Sequence, residues 1–207
     1  MLSKEKLLEM FRKSNALRRG HFELSSGLHS GHYFQCAQVM QHTKQAGIIC
    51  KELANRFRAS HPTVVIGPAI GGIIVAHETA RHLGLRAVYA ERVDAEMALR
   101  RGFMLGKKDR VVVVEDAITT GESARKVIEL VEAWGAKVVG VGTVVDRSGG
   151  KVQFKGYRFV KLFSLAFEAF RPHDCPLCSE HVPLVHPGSA KKGQEGALIE
   201  IRERQRT

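Results

Sequence analysis

The chain has only four cysteines in 207 residues: Cys36 and Cys50 stand alone, and Cys175 and Cys178 form one C-P-L-C pair. That is too sparse for a disulfide framework in a chain of this size. Long apolar runs are missing too; none approaches the ~20 residues a membrane span needs. The segment Met1–Arg19 is charged and has no apolar signal core, so a cytoplasmic location and no membrane partner are expected. Acidic residues are outnumbered 21 to 32, giving a formal net charge of +11. The excess lies mostly in the N-terminal half, as short doublets at Arg18–Arg19, Arg100–Arg101 and Lys107–Lys108. No long basic block and no nucleic-acid-binding motif is visible, which argues against nucleic acid as a partner. A basic chain can equally concentrate a small polyanionic substrate.

What is present is ordinary for a well-packed protein: 44% hydrophobic and 26% charged residues, with no internal repeat or low-complexity segment. Ser3 followed by Leu7, Met10 and Phe11 predicts a capped amphipathic helix. Ala46, Ile49, Cys50, Leu53, Ala54 and Phe57 predict a second, with Cys50 packing as a small hydrophobe. Further helices are expected around Ile73–Leu83, ended by Gly84, and Ala124–Trp134, ended by Gly135. Strands are expected at Thr63–Ile66, 86–90, Val111–Val114, Val138–Val145 and Arg158–Leu162. Four valines in a row suit a parallel strand buried on both faces. Strands alternating with helices predict an α/β fold with an open, mostly parallel twisted sheet flanked by helices. Ligands in such sheets bind beyond the C-terminal strand ends. Three loops follow strands there: Gly67–Gly72, Glu115–Ser123 and Asp146–Gly150. The alternation predicts that they meet in one crevice.

The central run is VVVVEDAITTGES, residues 111–123. A buried strand ends in two adjacent carboxylates, Glu115 and Asp116. Ala117, Ile118, Thr119, Thr120, Gly121, Glu122 and Ser123 follow, and then a helix begins. Hydroxyls, a glycine and a helix N-terminus together favour an anion such as phosphate. A plain anion site would avoid the two acids just upstream. A ligand with a phosphate at one end and a diol close by needs both halves, because carboxylates accept hydrogen bonds from hydroxyls. Ribose 5-phosphate is such a ligand. A lone T-T-G would fit an ordinary capped turn equally well; the whole run in this order does not.

The run resembles the phosphoribosyl pyrophosphate (PRPP) signature of the type I phosphoribosyltransferases. The resemblance implies that Glu115 and Asp116 bracket the ribose hydroxyls and that Thr119 through Ser123 hold the 5-phosphate. The resemblance to the orotate members extends to about residue 190. His21–Phe34 (HFELSSGLHSGHYF) is similar to their N-terminal motif, implying a small hood in which Tyr33 and Phe34 face the base. Gly67-Pro68-Ala69-Ile70-Gly71-Gly72-Ile73 resembles the pyrophosphate loop, and Val145-Asp146-Arg147 resembles the pair whose arginine binds the orotate carboxylate. A planar guanidinium suits a carboxylate bidentately, and Thr119 matches a threonine that also contacts orotate. The implied activity is transfer of the phosphoribosyl group from PRPP to orotate, with Mg²⁺ bound through the substrate's phosphates. Two departures stand out. Ser25 replaces a lysine, and the stretch Glu91–Phe103, where the family carries a mobile lysine-rich loop, has no lysine. Arg92 falls at one of that loop's charged positions and is taken as catalytic with Glu115 and Asp116; Arg100 or Arg101 could reach a pyrophosphate. The family's loop closes over a neighbouring subunit, implying a homodimer.

Residues 1–170 are thus expected to form the main domain, including a hood of about 1–40, with 171–207 as an irregular appendage and tail. Cys175 and Cys178 could supply two zinc ligands, with His173, His181 or His186 nearby. A structural site wants four ligands, usually from two such pairs, so a simple turn is the expectation. Two other functions compete: transfer to a purine or other base, and a PRPP-sensing regulator. The first leaves Asp146–Arg147 unexplained; the second lacks a basic face.

Overall fold

The computed structural model describes residues 2–187. In chain order the elements are α1 (Lys4–Lys13), β1 (Leu17–Glu23), β2 (His29–Phe34), α2 (Ala37–Met40), α3 (Thr43–Phe57), β3 (Val64–Pro68), α4 (Gly71–Leu83), β4 (Arg86–Val93) and β5 (Glu96–Leu99). They continue with β6 (Arg110–Ile118), α5 (Glu122–Ala133), β7 (Lys137–Asp146), β8 (Phe159–Ser164), α6 (Pro176–Ser179) and β9 (Leu184–Val185). The chain divides into two compact units: residues 1–17 with 35–166, and residues 18–34 with 167–207. The division does not coincide with the expected boundary after residue 170.

The first unit is built on a six-stranded sheet in the order β5-β4-β3-β6-β7-β8. All neighbouring pairs are parallel except the edge strand β5, which runs antiparallel to β4. Val64–Ile66 pair with Val111–Val113, and β6 pairs with β7 through to Ile118 opposite Asp146. Every residue of β3 and Val111–Val114 of β6 are buried, as continuous apolar runs require. Helix ends follow local chemistry. The Ser3 hydroxyl accepts from the Lys6 amide, and Gly84 adopts φ +72° to stop α4. Among the described residues no helix is long and apolar enough to cross a membrane.

Helix α3 lies close on the sheet because β7 offers glycines beneath it. A Cβ on Gly140 or Gly142 would sit 2.6 or 2.8 Å from the buried Phe57 ring. Cys50 is fully buried on the same helix, and burial pushes its thiol up to about 12, which leaves it an inert packing group. Residues 91–99 are a β-hairpin rather than a loop. Arg92 pairs with Met97 and Val93 with Glu96 across a turn at Asp94–Ala95, where Asp94 has φ +53°. The hairpin is tied to α5: the Lys126 ammonium donates to the Ala95 carbonyl.

The second unit contains β1 from Arg18 onward, β2, α6 and β9, in a small sheet of order β2-β1-β9. Here the described part of the segment expected to be irregular is partly ordered. β9 pairs parallel with β1, His21 opposite Leu184 and Phe22 opposite Val185. His29 and Phe170 exchange backbone hydrogen bonds of 2.8 Å, and the Ser30 hydroxyl donates to the Glu168 carbonyl. Residues 188–207 of the expected tail lie outside the described residues.

Candidate active site

Three loops leave the adjacent strands β3, β6 and β7, and they do converge. The Asp116 carboxylate lies directly against Gly71 at the start of α4. Across the next strand, the Arg147 amide donates to the Ile118 carbonyl at 2.8 Å. Gly67 and Gly72 make the first loop compact: a Cβ on Gly67 would fall 2.5 Å from the Gly72 carbonyl oxygen. Ala69, Ile70, Gly71 and Gly72 therefore present backbone and small side chains, apart from Ile70, which is 86% exposed.

Glu115 and Asp116 sit near the end of β6, where consecutive residues project to opposite sides of the strand. Burial pushes the Glu115 carboxyl up to about 8, helped by the charge of Asp116, and its Oε2 is buried without a hydrogen-bond partner. Burial also raises Asp116; the Ala117 amide, its own amide and the Arg147 charge pull it down, but not enough. Buried acceptors lacking donors are costly in a finished protein. Glu115 Oε2 is such an acceptor, open to a hydroxyl donor or a cation.

The turn 119–121 joins β6 to α5. Gly121 caps the helix with φ +75°, and a Cβ there would meet Val152 Cγ1 at 2.8 Å, so both conformation and space demand glycine. Arg125 donates to the Thr120 carbonyl at 2.7 Å and stacks over Phe154, which fixes the turn from behind. Thr119 and Thr120 are exposed, and Glu122 and Ser123 open the helix, the Glu122 amide donating to the Thr120 hydroxyl at 3.4 Å. Arg92 reaches Glu122 at 3.9 Å, both groups half exposed, so β4 brings a cation beside this turn. Arg101 is paired with Glu91 at 2.9 Å.

Asp146 anchors the turn that follows β7. It is fully buried, accepts from the Ser148 amide and hydroxyl at 2.9 and 2.6 Å, and pairs with Lys161 at 2.6 Å. Burial opposes its ionisation, but the Lys161 and Ser148 hydrogen bonds and the Lys161 charge outweigh that and hold its carboxyl below the usual range. Neither Lys161 nor Arg125 carries a local sequence signal; both are defined by partners far along the chain.

Tyr33 and Phe34 belong to the second unit. As neighbours on one strand they project to opposite faces. Phe34 is buried, whereas Tyr33 is half-buried and packs on Phe22 with ring centroids 5.7 Å apart. They do not form a pair presented to one flat ring.

A mostly parallel sheet whose central strand ends in two half-buried acids, with a glycine loop on one side and a helix start capped by Gly121 on the other, defines a phosphoribosyl-binding α/β protein. The family model described as "Phosphoribosyl transferase domain" matches residues 38–170. Orotate phosphoribosyltransferase of Caldanaerobacter subterraneus subsp. tengcongensis is 52% identical over 190 residues, covering 92% of this chain and 100% of that protein. The corresponding protein of Caldicellulosiruptor bescii is 49% identical over 191 residues, with 92% and 100% covered. The crystal structure of orotate phosphoribosyltransferase from Aeropyrum pernix superimposes with a TM-score of 0.66 at 28% identity, covering 77% of this chain and 93% of that one. The chain belongs to the orotate phosphoribosyltransferase family.

Proposed function

We propose that this protein transfers the 5-phosphoribosyl group of PRPP to orotate, giving orotidine 5′-monophosphate and pyrophosphate, as a step of pyrimidine biosynthesis. The observation that carries this is the half-buried acid pair beside two glycine-containing loops, with Asp116 against Gly71 and an unpartnered, buried Glu115 Oε2. The relatives' shared name, at about half identity over their whole length, supports orotate as the base.

Each residue has a part. Glu115 and Asp116 accept from the ribose hydroxyls. The turn from Thr119 through Ser123, with its backbone amides and the Thr119, Thr120 and Ser123 hydroxyls, holds the 5-phosphate. Ala69–Gly72 admit the pyrophosphate beside backbone amides. Breaking the bond from the anomeric carbon to pyrophosphate builds positive charge on the ribose, which the nearby carboxylates stabilise. A ring nitrogen of orotate then bonds to that carbon and gives up its proton. Arg92 adds positive charge beside the departing pyrophosphate. Arg147, oriented by Asp146, takes the orotate carboxylate, and Thr119 contacts the ring.

Mg²⁺ fits this donor set, because hard divalent cations take oxygen ligands and usually bind through substrate phosphates. Glu115 and Asp116 would help to hold it. When bound, it neutralises charge on the pyrophosphate. The protein works in the cytoplasm as a homodimer.

The test is to mix purified protein with PRPP, Mg²⁺ and each base in turn, following loss of orotate absorbance. Turnover with orotate is expected. Turnover only with a purine would replace this function with purine transfer, and PRPP binding without any turnover would identify a sensor.

A further inference from the structure

In the second unit, four side chains with no part in phosphoribosyl transfer converge: His21 on β1, His29 at the start of β2, and Cys175 and Cys178 at α6. Their ligand atoms all lie within 4.8 Å of one another. His21 Nε2 is 2.9 Å from His29 Nδ1, 3.4 Å from Cys175 Sγ and 3.7 Å from Cys178 Sγ; Cys178 Sγ is 3.3 Å from His29 Nδ1. A tetrahedral zinc ion with ordinary bond lengths spaces its nitrogens about 3.3 Å apart and nitrogen from sulfur about 3.6 Å. These four distances need to change by only a few tenths of an ångström to match, and the remaining pairs lie within 4.8 Å.

We propose that His21, His29, Cys175 and Cys178 form a closed structural Zn²⁺ site. The tautomer of His21 favours it. Its Nδ1 lies 2.8 Å from the Val182 carbonyl and so carries the proton, which leaves the Nε2 lone pair aimed into the cluster. Burial favours it too: His21 is 2%, His29 5% and Cys175 1% exposed, so three metal-binding groups are withdrawn from water together. Two nitrogens and two sulfurs in tetrahedral array select zinc over the oxygen-seeking cations. Four protein ligands leave no open position, so the site holds structure and performs no chemistry.

Two of the three nearby histidines are paired elsewhere. His173 pairs with Asp174 at 3.0 Å and His186 with Glu23 at 2.8 Å. The second unit also needs a staple. Among its described residues the buried apolar side chains are Phe22, Phe34 and Cys175, too few to hold two chain segments together by burial alone. Zinc joining β1 and β2 to α6 closes that gap.

The experiment uses untagged full-length protein purified without chelator. Elemental analysis is expected to give about one zinc per chain, and Co²⁺ exchanged into the site should give the intense visible bands of a tetrahedral thiolate complex. Cys175→Ser and His29→Ala should lose the metal, while His173→Ala should keep it. Cys178→His, which preserves a ligand, should retain Co²⁺ with weaker sulfur-to-metal absorption, so the site can be followed even if a harsher variant fails to fold. A zinc-free protein that takes up no Zn²⁺ on titration would overturn the proposal. So would a Cys175–Cys178 disulfide in the native protein, a weak octahedral Co²⁺ spectrum, or loss of metal in His173→Ala.

Discussion

Gly71 and Asp116 are in direct contact: a Cβ added to Gly71 would stand 2.6 Å from Asp116 Oδ1 and 2.8 Å from Oδ2. The carboxylate thus occupies the space a side chain would take. Gly71→Ala should drive Asp116 off its position while leaving the sheet intact. Displacements near 1 Å cost about 100-fold in rate. We expect a loss of that order in kcat/KM for PRPP with a melting temperature little changed. A variant with wild-type kinetics would show that Asp116 does not depend on this contact.

Glu115 sets a pH dependence. Its carboxyl is raised to about 8 in the free protein, and only the ionised form accepts hydroxyl donors through both oxygens and stabilises positive charge on the ribose. kcat/KM for PRPP should therefore rise with pH and level off above about 8, and Glu115→Gln should lose that inflection along with most activity. Stability runs the opposite way. The folded state keeps a proton that the unfolded chain sheds from about pH 4.5 upward, so Glu115 costs stability increasingly between pH 4.5 and about 8. Thermal unfolding should find Glu115→Gln more stable than wild type at pH 8 and nearly equal at pH 4.5.

Arg147 and Asp146 divide one task. Arg147→Ala should raise KM for orotate by on the order of 10- to 100-fold, the scale of a lost charge-assisted contact, with KM for PRPP close to wild type. Steady-state kinetics with each substrate varied separately decides this. An effect confined to PRPP would move Arg147 to the other substrate.

Lys161→Met leaves Asp146 buried without its countercharge. Lys161 is 40% exposed, so water screens part of the pair and the expected loss is about 1–3 kcal/mol. Because the Asp146 carboxyl is held below its ordinary value, the stabilisation is present at neutral pH and disappears as the pH falls below the usual carboxylate range. Urea unfolding of variant and wild type should differ at pH 7 and converge in acid.

Gly142→Ala tests helix–sheet packing. The new Cβ would lie 2.8 Å from the Phe57 ring and 3.1 Å from Leu53 Cδ1, both buried. Overpacking of this kind costs about 1–3 kcal/mol. A lower melting temperature is expected, with unchanged kcat per folded molecule.

Much of this architecture was legible before any coordinates. Strands β3, β6 and β7 are buried on both faces and so read as unbroken apolar runs; α1, α3, α4 and α5 show helical spacing, with caps at Ser3 and Gly84. β5 is four residues at a sheet edge, and β1 carries Arg19 and Gly20 on exposed positions, so neither has a strand pattern to find. The acid pair and phosphate turn were legible because they are contiguous. The Asp146–Lys161 pair and the His21–His29–Cys175–Cys178 cluster were not, since each is assembled by pairing between distant segments. Tyr33 and Phe34 show the opposite hazard: adjacency in sequence suggested one face, where a strand puts them on two.

The second unit is made from the two ends of the described chain, and this orders events during synthesis. His21 is hydrogen-bonded to Val182, 161 residues downstream. At about 5–20 residues per second, the hairpin of β1 and β2 waits roughly 8–30 s after leaving the ribosome before its partner strand exists. The catalytic sheet is complete once β8 has emerged, at Ser164. The nascent protein therefore carries an open β1 edge until Leu184 and Val185 have been made.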